Sequence, residues 1–255
     1  MTAFYVPVRP GTVRATEHTV GPWASTDQHA GPPSALLTRE LESVLPADGR
    51  LARVTVDLLG AVPVGELDVR SRILRPGRAV QLAEAELVAA GRVVARAGAW
   101  WHLLGDTTAV GLPADPPPAP LPEARGAERS EWPGGYLQAM EWRWVSGHFA
   151  EPGPATVWSR MRIPLVEDEE PTPTQRVMTT ADSGNGASST LSPDSWLFIN
   201  TELTVHLLRP PVGEWICLDA VTAIGPSGGG LATSRLSDVD GPVGRGAQAL
   251  VVRPR

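Results

Sequence analysis

One carboxylate of the C-terminal half stands beside a segment typical of a buried strand. Residues 203–207 alternate between apolar and polar side chains, as in a β-strand with one buried face, and Glu202 comes directly before them. A carboxylate is costly to bury unless it is paired or used in chemistry. Glu202 is therefore a candidate catalytic acid or base, and its alternative is an ion pair with an arginine at a sheet edge.

Several other chemistries lack their motifs in this sequence. There is no HExxH, paired CxxC or histidine–carboxylate cluster to hold a metal, and no GxSxG or GxxxxGK[ST] segment. Residues 225–230 are rich in glycine, but they join two predicted strands and so indicate a turn. We predict no metal site and no cofactor.

Composition and charge narrow the class of protein further. The 255-residue chain has a formal net charge of −6, which argues against a general nucleic-acid binder. No run approaches the ~18 apolar residues of a membrane span, and the N-terminus lacks a secretory pattern. The one cysteine, Cys217, excludes an internal disulfide and fits a reducing cytoplasm, where we expect the protein to act.

The sequence contains an internal repeat. Residues 54–67 read VTVDLLGAVPVGEL and residues 203–215 read LTVHLLRPPVGEW, so that Thr55-Val56 matches Thr204-Val205. A period of about 150 residues is too long for a solenoid and indicates a duplicated domain.

Each copy is predicted to hold one helix followed by four antiparallel strands. The first helix begins near Pro32-Pro33 and stops at Pro46, and the second begins after Thr172 and ends at Asn185-Gly186 or at Ser183-Gly184. The predicted strands are 51–59, 66–75, 79–90 and 93–104, then 196–209, 214–224, 229–238 and 243–252.

These elements predict an α+β protein of two tandem domains. The N-terminal domain takes residues 1–110, a proline-rich linker takes 111–130, and the C-terminal domain takes 131–255. In each domain a curled sheet should wrap around the helix. Such a sheet leaves edges and one open face, so we expect a homo-oligomer.

A helix gripped by a curled antiparallel sheet, present twice, resembles the double hotdog fold. The chain as a whole resembles the type II acyl-CoA thioesterase-like family. The resemblance is carried by TTADSGNG, NTELTVHLLRP, GEWICLDAVTAIG and GRGAQALVVR in the second copy, and by HAGPPSALL, DLLGAVPVGEL, RPGRAVQLAEAEL and ARAGAW in the first. It implies a thioesterase that hydrolyses acyl-CoA.

The resemblance also implies a catalytic constellation. The family's carboxylate, threonine and glutamine fall on Glu202, Thr222 and Gln248. The carboxylate would take a proton from a water molecule that the other two side chains hold. The chain departs from the family in having glutamate where aspartate is typical, which lengthens the side chain by one methylene.

A second carboxylate competes with Glu202 for this role. Asp182 lies in the second helix, where some hotdog thioesterases place their acid, and its alternative is a helix-end cap. Gly184 and Gly186 beside it could form a backbone cradle for the substrate. The segment around His29 and Gly31, at the start of the first helix, could supply donors to the oxyanion.

The repeat suggests that only the C-terminal copy carries the site. At the offset of the repeat, Glu202, Thr222 and Gln248 correspond to Arg53, Leu74 and Gly98. The polar set is therefore present once per chain.

Two rival functions remain at this stage. One is a hotdog hydratase or dehydratase, which usually needs an Asp…His pair that the sequence does not place in one helix-opening segment. The other is a non-catalytic protein that binds acyl groups or other small apolar ligands.

Overall fold

A computed structural model describes residues 3–112, 115–123 and 135–255. The N-terminal half contains β1 (Tyr5–Arg9), β2 (Thr12–Ala15), α1 (Gly31–Val44), β3 (Gly49–Leu58), β4 (Glu66–Arg75), β5 (Val80–Ala89) and β6 (Arg92–Leu103). The C-terminal half contains α2 (Gly135–Ala139), β7 (Met140–His148), β8 (Glu151–Met161), α3 (Pro173–Ala181), α4 (Gly184–Ala187), β9 (Trp196–Asn200), β10 (Glu202–Leu207), β11 (Ile216–Ile224), β12 (Gly229–Asp238) and β13 (Gly241–Pro254). Short 3-10 turns lie at Glu17–Thr19 and Thr108–Val110.

The strands form one antiparallel sheet in which the two halves meet at β3 and β10. Along the sheet the order is β1-β2-β4-β5-β6-β3-β10-β13-β12-β11-β8-β7, and β9 also pairs with β13. Thr55 and Thr204, which the sequence repeat matches, lie directly opposite each other at this junction. The two copies are therefore related by a pseudo-twofold axis between these threonines, and the predicted double hotdog fold is confirmed.

Helices α1 and α3 pack against each other inside the curled sheet. The first turn of α1 tolerates Pro32 and Pro33 because its N–H groups have no intrahelical partner. Leu36, Leu37 and Leu41 of this helix are fully buried in the core. Burial of a leucine side chain stabilises the fold by about 1.5–3 kcal/mol, so these residues anchor α1 to the sheet.

The predicted elements are confirmed with two differences in the C-terminal half. The predicted strand 196–209 is divided into β9 and β10 at Thr201 and ends at Leu207. The predicted second helix is divided into α3 and α4 at Asp182 and Ser183. Both interruptions occur at the candidate site described below.

The described part of the proline-rich segment lies along the C-terminal half. The carbonyl of Ala119 accepts a hydrogen bond from Trp158 Nε1 at 3.0 Å, and that of Pro122 accepts one from Arg143 at 3.0 Å. Asp115 forms an ion pair with Arg245 at 2.7 Å. Residues 113–114 and 124–130 of the predicted linker lie outside the described residues.

Two further expectations concern the membrane and the cysteine. In the part of the chain that the structure describes, no helix is both long and apolar enough to span a bilayer. Cys217 lies buried in β11, and burial raises the pKa of its thiol to about 12. The thiol therefore stays protonated at neutral pH and behaves as a small apolar side chain.

Candidate active site

A β-bulge at Thr201 determines which side chains of this region face the protein interior. Asn200 lies opposite Leu250 of β13, whereas Thr204 lies opposite Ala247. Residues 201–203 therefore face only two residues of β13, and the extra residue reverses the alternation of the strand. As a result Asn200 points inward, and Glu202 points to the outer face.

On that outer face, Glu202 provides a hydrogen-bond acceptor for the backbone where the β-ladder is interrupted. Its Oε1 accepts the N–H of Ala249 at 2.8 Å, and its Oε2 accepts the hydroxyl of Thr204 at 2.9 Å. Glu202 is not among the residues that line the cavity described below. Thr222 and Gln248 do not line that cavity either, but both are buried on the inner face of the sheet, so the structure does not bring Glu202 together with them.

Asp182 occupies the interior at the break between α3 and α4. Its Oδ1 accepts a hydrogen bond from Asn200 Nδ2 at 2.9 Å and one from Gln248 Nε2 at 3.2 Å. The Asp182 carbonyl also accepts from Gln248 Nε2, at 3.0 Å. Donors that lie against one oxygen hold the carboxylate in a fixed orientation.

The other oxygen of this carboxylate meets a histidine of the N-terminal half. His29 Nδ1 accepts a hydrogen bond from the Gly31 N–H at 3.0 Å and lies 3.0 Å from Asp182 Oδ2. The two contacts make opposite demands on Nδ1, because the Gly31 N–H needs a lone pair there and the carboxylate needs a proton. The imidazole stacks on Tyr136, with 3.9 Å between the ring centroids.

Hydrogen bonds to Thr179 and Ser183 hold Tyr136 in place. Its hydroxyl donates to the Thr179 carbonyl at 2.9 Å and lies 2.8 Å from the Ser183 hydroxyl. Because the tyrosine hydrogen is already used, Ser183 is the donor in the second hydrogen bond. Burial raises the pKa of Tyr136 well above its usual value, so the phenol stays neutral. The ring therefore positions His29 and adds no charge to the site.

A cavity of about 360 Å³ opens onto these groups. Its polar wall includes Asp182, His29, Asn185, Gly186 and Asn200. Its apolar wall includes Pro22, Trp23, Leu58, Ala61, Val62 and Phe198. The Trp23 and Phe198 rings meet edge to face, with centroids 5.1 Å apart. A carboxylate with a fixed orientation at one end of an apolar cavity can activate water against a bound apolar ester or thioester.

Gln248 and Thr222 both bind the chain around α4. Gln248, 2% exposed, accepts the Asn185 N–H on Oε1 at 2.9 Å, and a Cβ at Gly184 would lie 3.1 Å from that oxygen. The Thr222 hydroxyl lies 2.8 Å from that of Ser188. The Ser188 hydroxyl donates to the Gly184 carbonyl, so Thr222 is the donor of this pair.

The predicted glycines have different surroundings. Gly186 lines the cavity, and a Cβ there would meet nothing within 4 Å. Gly31 lies where α1 approaches α3, and a Cβ there would lie 2.6 Å from the Thr179 carbonyl. Gly31 is therefore required for helix packing, while its neighbours His29 and Ala30 form the cavity wall.

The sheet register corrects two of the correspondences drawn from the repeat. Ala247 lies in the same row as Thr204, as Gly98 does with Thr55, so Gln248 corresponds to Ala99. When the paired residues are followed from β13 through β12 to β11, and from β6 through β5 to β4, Thr222 corresponds to Ile73. The sequence comparison, which gave Gly98 and Leu74, was wrong by one residue, but the polar set is still present in one copy only.

The N-terminal half has a different arrangement at the opposite ends of the two helices. Glu42 of α1 accepts hydrogen bonds from Gln175 at 2.8 Å and from Thr172, the N-cap of α3, at 3.0 Å. Desolvation raises the pKa of Glu42 despite these donors. Nearby, Arg39 binds Glu169 with two hydrogen bonds of 2.6 Å. These carboxylates are occupied by protein partners.

Sequence reasoning missed three residues of the site. The inward orientation of Asn200 depends on the bulge, which no local sequence pattern predicts. The sequence suggested Asn185 only as a helix end and as part of the backbone cradle around Gly184 and Gly186, and it gave no reason to place Trp23 in the site. All three line the cavity. The polar Asn200 in an otherwise apolar strand was the one available signal.

Comparison with known families and structures adds an independent finding. Residues 19–102 match the family model described as the acyl-CoA thioesterase N-terminal domain, and residues 113–252 match that of the C-terminal domain. Together the two models span most of the chain. No curated protein matches it.

Solved structures with the same fold cover nearly the whole chain. A hotdog-fold protein of unknown function from Alicyclobacillus acidocaldarius is 15% identical, with a TM-score of 0.73 over 97% of this chain and 95% of its own. The tesB protein of Mycobacterium avium subs paratuberculosis is 15% identical (TM-score 0.68, 98% and 96%). Acyl-CoA thioesterase II TesB2 of Mycobacterium marinum is 14% identical (0.67, 98% and 96%). At these identities the likeness establishes the fold.

Proposed function

Because this chain belongs to the type II acyl-CoA thioesterase-like family, we propose that it hydrolyses acyl-CoA thioesters with Asp182, rather than Glu202, as the general base. The single observation that carries the proposal is the Asp182 carboxylate in the wall of an apolar cavity, held by Asn200 and Gln248. Glu202 lies on the outer face of the sheet and has its own backbone partner there.

The proposed reaction needs no protein nucleophile. Asp182 takes a proton from water as the water oxygen bonds to the acyl carbon. The tetrahedral intermediate then loses its C–S bond, and the thiolate takes up the proton to give the free acid and the thiol. His29 lies against Asp182 and is placed to stabilise its charge and orientation through the cycle.

The proposed site is single in each chain and formed by both halves. The acid comes from the C-terminal half and His29 from the N-terminal half. The equivalents of Thr222 and Gln248 in the first copy, Ile73 and Ala99, are apolar. This asymmetry supports one reaction centre per chain.

The direct test is release of free thiol from a panel of acyl-CoA esters that vary in chain length and branching. We expect turnover with at least one ester and equal amounts of thiol and free acid. Tight binding of acyl-CoA without turnover would instead support a non-catalytic binding protein.

A second candidate function has one observation in its favour. The Asp182–His29 pair sets a carboxylate beside an imidazole in the cavity, and such a pair could add water to an enoyl-CoA. Hydration consumes the enoyl group and releases no thiol. Loss of the enoyl absorbance without thiol release would favour this reaction over hydrolysis.

We also propose that the outer face of the C-terminal half is covered by a second copy of the chain. Val221, Leu231 and Val251 lie on β11, β12 and β13 and are 48%, 48% and 47% exposed. The equivalent strands of the N-terminal half carry cross-strand ion pairs on this face, including Arg72–Glu84 at 2.7 Å. On the C-terminal half this face is apolar around Leu231, and its Asp219–Arg235 ion pair lies further along the same strands.

Replacing Leu231 with arginine should therefore shift the protein from dimer to monomer, because the charge would be buried at the interface. Light scattering after size-exclusion chromatography measures the mass. Leu82→Arg, at the position of the N-terminal half that the sheet register matches to Leu231, is the matched control and should leave the assembly intact. A wild-type protein that is monomeric at micromolar concentration would contradict this proposal.

A further inference from the structure

Asn185 presents an unpaired acceptor at the wall of the cavity. Its Nδ2 donates to the Phe198 carbonyl at 2.8 Å, which fixes the orientation of the amide. The side chain is buried, with 7% of the residue exposed, and its Oδ1 has no hydrogen-bond partner among the described residues. Asn185 lines the cavity with Asp182.

Such an acceptor is uncommon and calls for a physical reason. Folded proteins pair the large majority of their buried polar atoms, because an unpaired one loses its hydration without replacement. Rotating the amide would not remove the problem, since it would place Oδ1 against the Phe198 carbonyl. The Oδ1 atom is buried beside the cavity and is an available acceptor for a donor that reaches it from there.

The other polar groups near Asp182 are already occupied. Gln248 accepts the Asn185 N–H and donates to both the carbonyl and the carboxylate of Asp182. The Thr222 hydroxyl donates to Ser188. Asn200 Nδ2 donates to Asp182. Among the buried atoms of these side chains, Asn185 Oδ1 is the acceptor that has no partner.

We propose that Asn185 Oδ1 accepts one hydrogen of the attacking water while Asp182 accepts the other. Asn185 lies three residues after Asp182, so the two side chains approach from the same side of the helix break. Water held by both hydrogens presents a lone pair to the acyl carbon. The assignment rests on the proposed hydrolysis and names a water-holding residue outside Thr222 and Gln248.

In the balanced step, the water oxygen bonds to the acyl carbon and its proton on the Asp182 side passes to that carboxylate. Cleavage of the C–S bond then releases the thiolate, which takes up the proton. The second hydrogen stays on the new carboxylic acid. Asn185 gains and loses only a hydrogen bond.

The test separates water positioning from a general defect by offering a second nucleophile. Asn185→Leu keeps the approximate volume and removes both the free acceptor and the donor to the Phe198 carbonyl, so hydrolysis should fall on the order of 10- to 100-fold in kcat with KM little changed. Hydroxylamine carries its own acceptors and donors and depends less on this contact. The ratio of hydroxamate to free acid should therefore rise at least about fivefold over wild type.

Ser188→Ala is the matched control, because it removes hydrogen bonds from the same helix end without touching Asn185. It should leave the product ratio at the wild-type value. Asn185→Ser, whose shorter side chain cannot reach as far, repeats the measurement if the leucine variant fails to fold. An unchanged ratio in a folded Asn185 variant overturns the proposal. Absence of thiol release in wild type, by contrast, overturns the proposed function itself.

Discussion

Asp182→Asn is expected to lower kcat for acyl-CoA hydrolysis by about 10³-fold, within the 10²–10⁴ range of general-base catalysis. Asparagine keeps an oxygen for the donors from Asn200 and Gln248, so the fold and the cavity should persist. What it loses is the ability to take a proton from water. Thiol release under saturating substrate measures kcat, and binding of a non-hydrolysable thioether analogue should be retained.

The decisive comparison is Glu202→Gln. Glutamine at this position still offers an oxygen to the Ala249 N–H on the outer face of the sheet. We therefore expect kcat within about threefold of wild type, as for a surface substitution away from the chemistry. If Glu202→Gln abolished turnover while Asp182→Asn did not, the catalytic assignment would be reversed.

The fold could be predicted from the sequence because its signals are local and repeated. Alternation of apolar residues, proline and glycine at turns, and the match of residues 54–67 to 203–215 each identify an element or a copy. Thr55 and Thr204, which the repeat matches in sequence, are also paired in the sheet, although the repeat by itself did not predict this junction. Tertiary packing then had little freedom to change the order of the strands.

The orientation of Glu202 shows where local reasoning reached its limit. If residues 203, 205 and 207 are buried, alternation places Glu202 on the opposite face, so its exposure followed from the same pattern that drew attention to it. The inward orientation of Asn200, two residues earlier, did not follow. It depends on the bulge at Thr201, which is defined only by the pairing with β13.

The contact between His29 and Asp182 could not be predicted, for a different reason. The two residues lie 153 positions apart and belong to different copies, and only the packing of α1 against α3 brings them together. The close approach at Gly31 makes that packing possible. The sequence suggested each residue separately, and the structure supplies the pairing.

Gln248→Leu is expected to lower both stability and activity, and the combination tests what the glutamine does. If Gln248 only held a water, its removal would lower kcat and leave the free energy of unfolding almost unchanged. In the structure it instead joins the Asn185 N–H to the carbonyl and carboxylate of Asp182. Leucine leaves these buried groups without partners, at a cost of roughly 1–3 kcal/mol each.

We therefore expect the free energy of unfolding to fall by about 2–4 kcal/mol and kcat to fall on the order of 100-fold, because Asp182 loses its fixed orientation. Urea unfolding and thiol release measure the two effects. Gln81→Leu makes the same chemical change at a buried glutamine of β5 and should leave kcat near the wild-type value. A Gln248 variant with lowered kcat and wild-type stability would contradict this structural role and indicate that the glutamine contacts the water directly. Equal losses of stability without loss of kcat would mean that Asp182 keeps its orientation through Asn200 and His29 alone.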